Sequence, residues 1–154
     1  MQKFAFAVVS GAGAALAIGL LSYIDTLQSD WVLLMAPFGA TAVLVFGLPQ
    51  SPLARPPNVI FGHFLTALIG VCFTTWVGVN PLTLALASGL AVSAMLLTGT
   101  THPPAGANPL LIMLSGQSWS FLISPVLTGA CAIVLVGWFV SSLRNVNARQ
   151  QAVD

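Results

Sequence analysis

Pro37-Phe38-Gly39-Ala40-Thr41-Ala42-Val43-Leu44-Val45-Phe46 and Pro104-Ala105-Gly106-Ala107-Asn108-Pro109-Leu110-Leu111-Ile112-Met113 stand 67 residues apart and share one pattern. Both read Pro-x-Gly-Ala-(Thr/Asn)-x-apolar-Leu-apolar-bulky. Proline removes a backbone donor and blocks the helix before it, and glycine tolerates conformations that other residues avoid. Each stretch therefore predicts a break inside an apolar segment, after which the chain restarts as a short helix. One apolar helix precedes each break and another follows it, so the chain reads as two three-segment repeats, about 1–79 and about 80–143. An odd number of crossings per repeat inverts the second relative to the first, an arrangement common among transporters.

The surrounding composition fits a lipid solvent. Of 154 residues, 57% are hydrophobic and 5% charged, where a soluble domain carries about 25% charged residues. Formal charge sits only on Lys3, Asp25, Asp30, Arg55, Arg144, Arg149 and Asp154, and the 88 residues between Arg55 and Arg144 hold none, with His63 and His102 their only titratable imidazoles. Nucleic-acid binding needs clustered Lys and Arg, and most hydrolysis needs carboxylates that no apolar segment here contains. No Ser/His arrangement at a recognisable spacing is present either, so the chain is not expected to be an enzyme and no cofactor is expected. Cys72 and Cys131 lie inside apolar runs, where they behave as small hydrophobes and not as a disulfide. Neither they nor the histidines are close enough in sequence for a local chelate, so no metal is expected.

Hydropathy and breakers together give apolar segments near Phe4–Ile24, Trp31–Leu48, Val59–Val79, Leu82–Thr101, Pro104–Gly116 and Trp119–Leu143. A spanning helix takes about 20 residues, so six crossings use about 120 and leave about 34 for loops and tails, with no room for a soluble domain. All six except Pro104–Gly116 are long enough to span. The first, at 21 residues, exceeds the usual apolar core of a signal peptide and is expected to be retained. It is rich in Gly, Ala and Ser, which permit close helix approach in lipid and make a homo-oligomer an expected partner. Lys3, Arg55, Arg144 and Arg149 against Asp25 and Asp30 favour six crossings with both termini and a short tail, 144–154, in the cytoplasm. The expected location is a bacterial inner membrane or its equivalent, as a single all-α, polytopic transmembrane bundle. Trp31, Trp76, Trp119 and Trp138 fall near segment ends, at headgroup level.

The breaks carry the chemistry. The first turn of a restarted helix offers unpaired N–H groups and the positive end of a dipole, suited to an anion or to the oxygen of a small polar solute. Irregular backbone at membrane depth must be buried in protein or line a cavity. Thr41 and Asn108, at matching positions, are candidates either to cap these helices or to donate to a solute, with Thr41 alternatively bonded to its own backbone. His102 follows a run of hydroxyls, Thr98-Gly99-Thr100-Thr101, and precedes Pro103-Pro104. An ionisable group there is a functional candidate, and any proton coupling must run through His102 or His63. The candidate solute-binding residues are His102, Asn108, Thr41, Gly39, Gly106 and Thr101. His63 is expected to pack or to hydrogen-bond.

The block Thr101-His102-Pro103-Pro104-Ala105-Gly106-Ala107 resembles the signature of the HPP family of small integral membrane proteins, some members of which are implicated in nitrite transport. Ala36-Pro37-Phe38-Gly39-Ala40-Thr41 and the later Pro49-x-Ser51-Pro52-Leu53-Ala54 are also similar to that family, over roughly residues 31 to 115. Gly39, Thr41, Ser51, Pro52, Asn58, His63, His102, Pro103, Pro104 and Gly106 match. One departure is Arg55-Pro56-Pro57-Asn58, where the family pattern is Gln-Pro-Arg-Asn; it moves the basic residue two places, and no role is carried over to Arg55. The resemblance implies transport of a small inorganic anion, nitrite foremost. From the residues alone the solute is small and polar or anionic. A neutral-solute channel and a non-transporting assembly subunit stay open; the latter predicts His102 and Asn108 pointing into packed protein.

Overall fold

The computed structural model describes residues 2–27 and 33–150. Asp30 and Trp31 lie outside the described residues, as do 151–154 of the tail.

Among the described residues the backbone is helix and turn, with no strand. Helix α1 spans Gln2–Leu27, α2 Pro37–Ala42, α3 Pro56–Cys72, α4 Pro81–Thr98, α5 Asn108–Ser115 and α6 Thr128–Gln150. Wider turns continue α2 through Val43–Gly47 and α3 through Phe73–Val77. Proline and glycine set the boundaries. Pro37, Pro56 and Pro81 each occupy the first turn of a helix, where their missing donor costs nothing. Gly99 at φ 67° ends α4 before Thr101, and Gly116 at φ 65° ends α5. Ser124, with φ −126° and ψ 117°, breaks the last apolar segment ahead of Pro125, so α6 proper starts at Thr128.

Asn80 caps α4: its Oδ1 accepts from Leu82 N at 2.9 Å and Thr83 N at 3.0 Å, while the Thr83 hydroxyl accepts from Asn80 N at 2.9 Å. Asn80→Ala is expected to cost about 1 kcal/mol, read as a lower thermal midpoint in detergent.

Among the described residues four helices are long and apolar enough to cross a bilayer: Lys3–Leu27, Pro56–Val77, Pro81–Thr98 and Trp119–Arg144. The sequence reading also expects Trp31–Leu48 to be long enough. Its helix runs only from Pro37 to Gly47, because residues 33–36 approach it without helical structure. The α2 and α5 segments are therefore both short.

Contacts at the two ends of the bundle give the path of the chain. At one end Arg144 donates to Ser10 Oγ at 2.8 Å and to the Phe46 carbonyl at 3.2 Å. The start of α1, the end of the α2 segment and the end of α6 therefore meet there. Asn58 Nδ2 donates to the Thr101 carbonyl at 3.0 Å, joining the start of α3 to the chain that leaves α4. At the other end the Trp76 and Trp119 rings lie 5.4 Å apart, and Asp25 accepts from the amides of Leu33 and Leu34. Among the described residues α3 and α5 thus run from the first end toward the second, and α2, α4 and α6 run the opposite way. Lys3, Arg55 and Arg144 belong to the first end and Asp25 to the second.

The core lies between α2, α3, α5 and α6, around Phe38, Phe46, Val59, Val71, Ile112 and Ile133. Outer faces stay apolar: Leu97 is 88% exposed and Phe4 76%. Lipid is the solvent such surfaces require. From α1, Gly13, Ala17 and Leu21 face inward, while Gly11, Ala12, Ala15 and Gly19 are exposed on the chain by itself.

Candidate functional site

Four polar side chains from four segments meet in the core: Thr41 from the last turn of α2, His63 from α3, His102 from the extended residue before the turn Pro103–Ala107, and Asn108 from the start of α5. Each is 0% exposed. The two prolines after His102 hold it out of helical conformation, at φ −136° and ψ 97°.

Acceptor-only carbonyls assign the protons. His102 Nδ1 lies 2.8 Å from the Leu53 carbonyl, which can only accept, so Nδ1 carries the hydrogen. In neutral His102, Nε2 is then an acceptor, and the Thr41 hydroxyl at 3.0 Å donates to it. His63 Nε2, 2.8 Å from the same oxygen, donates to it in turn, which leaves His63 Nδ1 to accept from Asn108 Nδ2 at 3.0 Å. The result is one chain of hydrogen bonds with a single direction, from Asn108 through His63, Thr41 and His102 to Leu53. The Pro37 carbonyl, 3.2 Å from the Thr41 hydroxyl, is a second acceptor for the same hydrogen.

The amide of Asn108 is oriented by the His63 carbonyl, 3.0 Å from Nδ2, and also donates toward Thr66 Oγ1 at 3.0 Å. Its Oδ1 is buried without a hydrogen-bond partner. The rings pack edge-on: His63 against Phe38 at 5.2 Å and against His102 at 5.0 Å between centroids.

Two glycines on α3 make the meeting sterically feasible. A Cβ on Gly62 would lie 2.8 Å from the Thr100 carbonyl and 2.9 Å from His102 Cβ. One on Gly70 would lie 3.0 Å from Pro109 Cα, where α5 crosses. Gly62→Ala is therefore expected to destabilise the protein by roughly 1–3 kcal/mol and to push His102 away from Thr41, measurable as a lower thermal midpoint.

Of the sequence-derived candidates, the structure brings together Thr41, His102 and Asn108. Gly39 is exposed and Gly106 half-buried, and an added Cβ on either would meet nothing within 4 Å. Thr101 is half-buried and contributes its carbonyl to Asn58. The expectation that Thr41 or Asn108 caps a restarted helix is corrected: neither α2 nor α5 has a side-chain cap, and the two side chains reach across to His63 instead. Nor are the first amides of these helices free for a solute. Phe38 N donates to Met35 O, Gly39 N to Ala36 O, and Asn108 N to Ala105 O, because tight turns lead into both helices.

His63, Thr66 and the Leu53 carbonyl are further members of the cluster. For His63 a signal existed, as the only other imidazole in the uncharged stretch. Thr66 and a backbone oxygen carried none.

Near the Leu53 end, a hollow of about 670 Å³ is lined by Phe6, Gly47, Leu48, Pro49, Gln50, Ser51, Ser141 and Arg144. Ser51 also accepts from Leu53 N at 3.2 Å, so the hollow adjoins the turn whose carbonyl receives His102.

A family model described as HPP, transmembrane region, matches residues 1–150. The chain belongs to the HPP family. Two proteins of Dictyostelium discoideum, each named only as a transmembrane protein, are 36% identical over 135 residues and 33% identical over 150. The matches cover 82% and 92% of this chain but 47% and 48% of theirs, so the chain spans about half the length of these curated relatives. No solved structure matches. Within this HPP chain, the triplet His102-Pro103-Pro104 divides its work: the imidazole enters the network while the prolines open the turn toward Asn108.

Proposed function

We propose that this HPP protein is a transport protein for a small inorganic anion, nitrite in the reading the family resemblance favours, and not an enzyme. One observation carries the proposal: two imidazoles, a hydroxyl and an amide are joined end to end, fully buried, where the two broken segments meet. Polar and ionisable groups inside a membrane are costly, and they characteristically mark solute or proton paths. Arg144 beside the hollow supplies positive charge at one mouth, which raises the local concentration of anions. Apart from Asp25 at the far end of α1, the spans carry no carboxylate of the kind a cation path would use.

In this reading the Lys3, Arg55 and Arg144 end faces the cytoplasm, both termini with it. The opposite directions of α2 and α5, and the convergence of Thr41 and Asn108 on opposite nitrogens of His63, support two inverted repeats around a shared site. The exposed small residues of α1 offer a face for a second copy of the chain.

Complete burial of the cluster also favours a second reading, an assembly subunit in which the network only locks the bundle. Uptake separates the two. Purified protein in proteoliposomes is expected to give saturable nitrite uptake above that of empty vesicles, reduced by competing anions among chloride, nitrate and formate. Absence of flux for every anion would reject the transport of anions and leave a neutral solute or assembly.

A further inference from the structure

The direction of the hydrogen-bond chain has a use that solute binding does not require. We propose that Asn108, His63, Thr41 and His102 form a proton relay that moves one proton with each anion, so that the transported unit is electrically neutral. This rests on the anion-transport reading.

The first argument is electrostatic. A bare anion taken from water into a medium of low dielectric meets an idealised cost of order 20 kcal/mol, and only opposite charge or strong hydrogen bonding offsets it. Nothing fixed offers that charge at the cluster. The elements nearest it, α2, α3, α4, α5 and the turns Pro52–Ala54 and Pro103–Ala107, contain no Asp, Glu, Lys or Arg. Helices α1 and α6, which pack on α2 and α3, carry Lys3, Asp25, Arg144 and Arg149 toward their ends, and α6 carries the free thiol Cys131. Asp25 is held by Leu33 and Leu34, and Arg144 by Ser10 and Phe46. Arg55, at the head of α3, is exposed, and Cys72, the other titratable group on α3, is a half-buried free thiol nine residues beyond His63. A positive charge can appear beside the anion only if an imidazole takes a proton.

The second argument is geometric. The links run 3.0, 2.8, 3.0 and 2.8 Å from Asn108 Nδ2 to the Leu53 carbonyl, all within hydrogen-bond range. The Thr41 oxygen sits between two Nε2 atoms, and a hydroxyl accepts as readily as it donates. A proton arriving at His63 Nδ1 forms an N–H bond there. The Nε2–H bond of His63 breaks and its proton passes to Thr41, whose original proton passes to His102 Nε2. The Nδ1–H bond of His102 then breaks, and that proton leaves to water on the Leu53 side, toward the hollow. No electrons are transferred, one proton enters and one leaves, and both imidazoles end neutral with their tautomers exchanged.

The third observation is the partnerless Asn108 Oδ1. While His63 Nδ1 accepts, the amide must present Nδ2. Once Nδ1 carries a hydrogen, rotation of the amide brings Oδ1 to receive it. The same side chain can therefore serve both states of the relay, which Leu at this position could not do.

The test uses the full chain in proteoliposomes, with a pH-sensitive dye inside, the membrane potential set by a potassium gradient and valinomycin, and the nitrous-acid leak of empty vesicles subtracted. The expected result is one proton taken up per nitrite and a rate indifferent to potential. Thr41→Val is expected to lower proton and nitrite uptake together by at least about tenfold, while Thr41→Ser, which keeps the hydroxyl, retains both. Nitrite uptake that follows the potential without a proton overturns the relay and leaves transport standing. Absence of nitrite uptake overturns both. If Thr41→Val does not fold, the proton-to-nitrite ratio of the unaltered protein decides alone.

Discussion

Vesicles carrying His102→Ala are expected to take up nitrite at about one-hundredth of the unaltered rate, with membrane insertion unchanged. The substitution removes the acceptor of the Thr41 hydroxyl and the donor to the Leu53 carbonyl, both inside the core. Thr41 falls back on the Pro37 carbonyl at 3.2 Å, so the chain of hydrogen bonds is cut between the hollow and His63. Insertion depends on the apolar length of the spans, and none of the four long helices contains His102. Asn108→Ala cuts the other end, leaving His63 Nδ1 without its donor while the His63 carbonyl keeps the Thr66 hydroxyl, and a loss of similar size is expected. Initial uptake rates, compared at equal protein per vesicle, check both. Rates within twofold of the unaltered protein in both variants would remove this cluster from the solute path.

His63→Ala has the largest expected effect on stability. Its imidazole receives the amide of Asn108 on one side and donates to Thr41 on the other, and its ring fills the space against Phe38 and His102. Truncation removes two buried hydrogen bonds, at about 1 kcal/mol each, and opens a cavity in a site that is wholly enclosed. A total of about 3–5 kcal/mol is expected, read as a large drop in thermal midpoint in detergent. A midpoint equal to that of the unaltered protein would mean that the cluster contributes little to holding α2, α3 and α5 together.

Much of the fold was legible in local signals. Pro37 marks a helix start and Gly116 a stop, because each acts through its own backbone, whereas hydropathy starts the third segment at Val59, past Pro56, and runs the fourth to Thr101, past the stop at Gly99. The uncharged stretch and the short segment after Pro104 announce a bundle with incomplete crossings. Less legible is the start of the second segment, where residues 33–36 read as helix by hydropathy but are not helical. Hydropathy reports burial in lipid and not backbone conformation.

The site was legible in part for a related reason. His102 and Asn108 stand next to prolines and glycines, so their neighbourhood draws the eye. The partners that give them a role lie far along the chain: Thr41 is 61 residues from His102, and Asn108 is 45 from His63. No spacing rule reaches across such distances. The expectation of free helix amides failed because the preceding turns supply carbonyls from Met35, Ala36 and Ala105, and backbone acceptors carry no sequence signal. Gly62 was equally silent, since its requirement comes from Thr100 and His102 passing over it.

The measurement that bears most directly on the buried cluster as the solute path is nitrogen-15 magnetic resonance of histidine-labelled protein in bilayers. With two histidines in the chain, His102→Ala and His63→Ala assign every imidazole signal. The signals of both His63 and His102 are expected to shift saturably as nitrite is added, over the concentration range that saturates uptake. Signals that stay unmoved while nitrite uptake proceeds would place the path elsewhere and contradict the account.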